Sequence, residues 1–106
     1  MYKTLAIALA LMGALGAAAP KTIASRTDAR GNQTPGSAAV KGPAQVTCAS
    51  ATGANPRDNP PSCNITAPGY GGTVNVGQTV GTSGAGTVTL TCNGQAPLSC
   101  SARIQE

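Results

Sequence analysis

The chain contains no Phe and no Trp and only two Tyr, and that shortage limits the folds open to it more than any other feature. Aromatic rings normally bring the largest areas into a protein core. What remains for the purpose is Val, Ile, Leu and Ala, and at this length such a core is marginal without covalent help. Cys48, Cys63, Cys92 and Cys100 are the available help. An even cysteine count in a short exported chain predicts a disulfide framework. The rival use of four cysteines, a zinc site, is disfavoured because the chain has no His and no Cys-x-x-Cys pair.

The expectation of export comes from the N-terminus. Met1 to Thr4 carries one positive charge, Leu5 to Leu15 is almost wholly apolar, and Gly16-Ala17-Ala18-Ala19 is a run of small residues. Charge, short apolar stretch and small residues in that order predict a signal peptide over residues 1–18, cleaved after Ala18. A membrane anchor needs about 20 apolar residues, and this run is shorter and ends before Pro20. No membrane span is expected after cleavage, and the predicted location is extracellular. About 88 residues then remain, enough for one domain.

Residues 19–41 have Lys21, Arg26, Arg30 and Lys41 against Asp28, with Ile23 and Val40 as the only branched aliphatics. So little apolar surface does not offset the entropy of ordering, which predicts a flexible basic arm or a propeptide. Its charge reads as solubility, and no nucleic-acid partner is expected.

From Gly42 onward the pattern is that of strands. Val46 and Cys48 alternate with Gln45 and Thr47 within Ala44–Ala49, and a Pro-rich loop from Ala51 to Ser62 follows. Cys63–Thr66 is a second strand. Thr73–Val80 is a third, with Val74, Val76 and Val80 on one face and a bulge at Gly77. Thr87–Cys92 and Leu98–Ile104 both alternate strictly, and the short Gly/Pro loop between them predicts a β-hairpin. The expected fold of residues 42–106 is all-β: a small disulfide-stapled β-sandwich or partly open barrel of about five short strands. Cys48–Cys63 with Cys92–Cys100 is the simplest pairing, closing the Pro-rich loop and clamping the hairpin. Cys48–Cys92 with Cys63–Cys100 is the alternative.

The residues argue against catalysis. There is no His, oxidised cysteines leave no free thiol, and the carboxylates Asp28, Asp58 and Glu106 fall in segments expected to be flexible. No cofactor motif or metal-ligand cluster is present, so no cofactor and no metal are expected. Binding is the better class. Arg57, Asp58 and Asn59 lie in the proline-stiffened loop that a Cys48–Cys63 bond would tether, where less entropy is lost on association. Tyr70, the sole aromatic after the leader, sits in Pro68-Gly69-Tyr70-Gly71-Gly72 as a single stacking platform for a sugar or as cover for the core edge. Asn64-Ile65-Thr66 is an N-glycosylation acceptor sequence in a eukaryotic source. The expected function is that of a small secreted, non-enzymatic, effector-like interaction protein, with an extracellular protein or polysaccharide as partner. A carbohydrate- or cell-wall-binding module and a structural coat or matrix component are the alternatives.

Overall fold

A computed structural model describes residues 19–106; the signal peptide expected over residues 1–18 lies outside the described residues. The described residues form nine strands and no helix: β1 (Lys21–Thr27), β2 (Gln33–Thr34), β3 (Gly36–Val40), β4 (Gln45–Thr52), β5 (Ser62–Ala67), β6 (Tyr70–Val74), β7 (Thr79–Gly81), β8 (Gly86–Asn93) and β9 (Leu98–Gln105). They make two sheets, one ordered β2-β1-β9-β4-β7 and the other β3-β8-β5-β6. Every pairing is antiparallel. The described residues are therefore all-β with two disulfides, as expected; residues 42–106, expected to form about five short strands, form six, and three more precede them.

The core is aliphatic. Ile65, Leu90, Ile104, Val46, Val74 and Val88 are fully buried, beside the half-cystines and Ala102. Burying each such branched side chain contributes about 1.5–3 kcal/mol. The inward alternation expected for the last two strands is observed: Val88, Leu90 and Cys92 on β8 and Leu98, Cys100, Ala102 and Ile104 on β9 are all buried.

The expected arm is a correction. Residues 21–40 supply three strands, and β1 pairs with β9 along its whole length, from Lys21↔Ile104 to Thr27↔Leu98. Ile23, Ser25 and Thr27 alternate inward. Only one of those three is aliphatic, so local composition under-reports the strand. Its stabilisation comes from ladder hydrogen bonds to β9 and from the apolar face β9 already presents. The chain changes sheets at Pro35, and β3 then pairs with β8. Gly36 makes this crossing feasible, because a Cβ there would overlap the Ala24 carbonyl.

The expected third strand is also corrected. Residues 73–80 divide between β6 in the four-stranded sheet and β7 in the five-stranded sheet. Gly77 adopts φ +89°, a left-handed turn rather than a bulge. The Gln78 amide donates to the Asn75 carbonyl at 2.9 Å, and the Gly77 amide donates to the Cys48 carbonyl at 2.8 Å. Val74 stays in the core, while Val76 is turned out and is half exposed.

The expected hairpin does not form. β8 lies between β3 and β5, whereas β9 lies between β1 and β4. Alternation identifies which face a strand buries but not which strand it pairs with. The disulfides follow the simplest pairing, Cys48–Cys63 with Cα atoms 5.9 Å apart and Cys92–Cys100 with Cα atoms 5.6 Å apart. Each of them joins one sheet to the other: β4 to β5, and β8 to β9. Two disulfides in so small a domain are compatible with an extracellular location.

Candidate functional site

The structure keeps the expected binding residues apart. Arg57, Asp58 and Asn59 are exposed in a turn closed by the Asn59 amide donating to the Pro56 carbonyl at 3.0 Å. The loop is pinned beyond its disulfide, since the Asn55 side-chain oxygen accepts from the Gln95 amide at 2.7 Å. Tyr70 lies at the far end of β5 from this loop, opposite Ala67 in register. The six residues of β5 put about 17 Å between the two ends, at roughly 3.3 Å per residue. Tyr70 is half-buried against the core, and its hydroxyl donates weakly to the Thr73 carbonyl at 3.5 Å. Its ring also folds over Gly72, so it covers the sheet edge. Asn64 is in mid-sheet, half-buried, with its side-chain oxygen accepting from the Thr73 hydroxyl at 2.9 Å.

A different surface gathers polar side chains in regular order. On the outer face of the five-stranded sheet, β4 and β9 place hydroxyls opposite one another. Ser50 and Ser101 share a hydrogen bond of 2.7 Å, and Thr52 and Ser99 share one of 3.0 Å. Thr47 and Thr79 continue the array onto β7 at 2.7 Å. The array depends on an irregularity in β4, whose register against β9 shifts between Cys48 and Ser50. Before the shift Val46 and Cys48 point inward. After it Ala51 packs on the core and Ser50 and Thr52 turn outward. One extra residue thus reverses the alternation of the strand.

Two guanidinium groups stand on the same face. Arg103 is opposite Thr47, and Arg26 is opposite Ser99. Both are exposed, and neither makes a hydrogen bond or ion pair among the described residues. The four residue steps from Ser99 to Arg103 separate the two positions by about 13 Å along the strand direction.

At the Arg26 end the face runs into a cleft of about 760 Å³, formed where β1 and β4 end and β9 begins. Arg26, Thr52 and Ser99 supply its polar wall, and Ala54 and Pro97 belong to its apolar part. Thr27 also lines it but points inward; it is 8% exposed, and its hydroxyl oxygen is buried with no hydrogen-bond partner among the described residues. Asp28 also lines the cleft. The Asn32 and Arg30 amides each donate to one of its oxygens at 2.9 Å, and the Asn32 side-chain amide donates to the other at 3.2 Å. These bonds, the Asn32 amide foremost, hold its carboxyl below the ordinary value of 3.8. It stays charged at neutral pH, with its oxygens engaged by the turn. Glu106 is the other carboxylate with a clear role, accepting from the Lys41 amide at 2.7 Å and pairing with Lys21 at 3.2 Å.

No protein-family model, curated protein or solved structure matches this chain. The site therefore has to be read from its own geometry. Sequence reasoning missed it because the Ser and Thr residues of β4 and β9 look like ordinary outward positions of half-buried strands. Arg26 was hidden in the supposed arm. The available signal was the run Ser99, Ser101, Arg103 at period two, which marks one exposed face of a strand.

Proposed function

We propose that this protein is an exported, non-catalytic binding module, its two sheets packed as a β-sandwich, that holds polysaccharide on the outer face of the five-stranded sheet. The observation that carries this reading is the array of hydroxyl pairs, Ser50/Ser101, Thr52/Ser99 and Thr47/Thr79, on an open face. Each hydroxyl is both donor and acceptor, which matches a polymer whose own surface is mostly hydroxyl. Protein-binding surfaces are instead centred on buried aromatic and aliphatic anchors. Val76 is the sole large hydrophobic residue standing exposed among the described residues, so an effector-like contact with a protein has less to support it.

Retardation in native gels containing soluble glucans or polygalacturonate, with pull-down on chitin and cellulose, tests the module. The quadruple variant Ser50→Ala, Ser99→Ala, Ser101→Ala, Thr52→Val is expected to lose the interaction while keeping its fold. If the protein is neither retarded nor retained by any polysaccharide, the reading fails.

A second reading, assembly through strand edges, has one observation in its favour. β6 pairs only with β5, and Gly71, Gly72 and Thr73 are exposed along it, an edge of the kind that other chains can extend. Sedimentation that depends on protein concentration would support it.

A further inference from the structure

We propose that the cleft beside Arg26 is the subsite for an acidic sugar unit, with a carboxylate as in a hexuronate, and that the polymer carrying it runs along β9 toward Arg103. This rests on the polysaccharide reading and adds to it the class of sugar and the point of anchorage.

Three observations meet at the cleft. Arg26 is exposed there without an ion-pair partner among the described residues, and a guanidinium offers a planar fork that matches a carboxylate in two parallel hydrogen bonds. Thr52 and Ser99 place the last hydroxyl pair of the array in the same wall, so ring hydroxyls and carboxylate are met from one side. Pro97 and Ala54 give an apolar surface on which the C–H face of a pyranose ring rests. The volume of about 760 Å³ falls within the range of roughly 300–1,000 Å³ usual for ligand sites.

Charge points the same way. The described residues carry six Lys and Arg (the chain's seven less Lys3) against three Asp and Glu. Of the three acids, Glu106 is paired with Lys21, Asp58 is on the Pro-rich loop, and Asp28 is held by its turn. The strand face from Arg26 to Arg103 contains no carboxylate of its own; Asp28 lines the cleft, with its oxygens taken up by the Arg30 and Asn32 N–H groups. A polymer long enough to reach from the cleft to Arg103 passes Ser99, Ser101 and Ser50 on the way.

The test compares polygalacturonate with the same polymer after methyl esterification, which keeps the backbone and removes the charge. Poly-glutamate serves as a control for charge without sugar, and dextran sulfate for a different anion. The folded protein is expected to bind polygalacturonate at least tenfold more tightly than its methyl ester, and more tightly than poly-glutamate or dextran sulfate. Arg26→Gln should weaken that binding about tenfold, Arg26→Lys should restore only part of it, and Arg103→Gln should have a smaller effect. Equal binding of the esterified polymer, or unchanged affinity in Arg26→Gln, overturns the acidic-sugar subsite and leaves the polysaccharide reading standing. Equal binding of poly-glutamate or dextran sulfate overturns the carboxylated-sugar assignment in favour of charge alone. Binding to none of these polymers, nor to chitin, cellulose or glucan, overturns both.

Discussion

The hydroxyls of Ser50 and Ser101 lie 2.7 Å apart across β4 and β9, and they meet because Ala49, between Cys48 and Ser50, is left out of the ladder. Cys48 faces Ala102 and Ser50 faces Ser101, so Ala49 has no opposite number in β9. Were Ala49 to take a regular place in the ladder, the residues after it would exchange faces, turning Ser50 and Thr52 to the core and Ala51 to solvent. The irregularity is the device that gives one strand an apolar inner face at both ends and a polar outer one throughout.

Deleting Ala49 should therefore be tolerated better than the loss of a neighbouring residue. Without it Cys48, Ser50 and Ala51 follow one another in unbroken alternation against Ala102, Ser101 and Cys100. Deleting Ala51 instead moves Thr52 into the inward position, where a buried hydroxyl costs about 1–3 kcal/mol when unsatisfied. In urea denaturation the Ala49 deletion should stay near wild type, and the Ala51 deletion should have a clearly lower midpoint. Equal losses in the two would show that the bulge itself is needed for stability.

The disulfides offer a graded comparison. Cys48–Cys63 spans 15 residues and Cys92–Cys100 spans 8. By loop-closure entropy the first should contribute about 3 kcal/mol and the second about 2.5 kcal/mol. Paired Cys→Ala variants, followed by urea unfolding without reductant, should each lose stability on that scale. Full reduction of the wild-type protein should cost more than either, because no disulfide between the sheets then survives.

Thr27→Val should raise stability. Valine keeps the shape of threonine and removes the one buried side-chain oxygen that lacks a partner among the described residues. A gain of about 1 kcal/mol is expected, measured as a higher urea midpoint with an unchanged slope. A fall in stability would mean that the hydroxyl is satisfied in solution.

Glu106 should make the fold sensitive to acid. The Lys41 amide, followed by the Lys21 ammonium, holds its carboxyl below the ordinary value of 4.5. A carboxylate with a depressed folded value adds stability that is present above its unfolded value and lost as pH falls through the folded one. Stability should be flat above about pH 5 and should decline from 4.5 downward. Glu106→Gln should show a shallower decline in the same titration of the urea midpoint.

The parts of this fold legible in the sequence were those where alternation coincided with strong hydrophobes. Val88, Leu90, Leu98 and Ile104 announced β8 and β9 and their buried faces. The cysteine pairing followed from proximity along the chain. β1 was not legible, because its inward positions hold Ser25 and Thr27 beside Ile23, and its pairing partner β9 lies more than seventy residues away in sequence. The division of residues 73–80 between two sheets turned on the left-handed conformation at Gly77, which a glycine permits but does not announce. The candidate site suffered from both problems. Much of its cleft comes from the end of β1 and the turn after it, and its hydroxyl rows become visible only once β4 and β9 are known to be neighbours.

Placing each disulfide across a connecting segment has a consequence for how the molecule withstands proteases. A single cut anywhere between Cys48 and Cys63, the stretch containing the prolines and Arg57, leaves two polypeptides that are still covalently joined. The same holds for a cut between Cys92 and Cys100. In either case the pieces remain in register, with their share of both sheets, and do not diffuse apart. Two of the exposed connections are thus ones at which a broken backbone matters least.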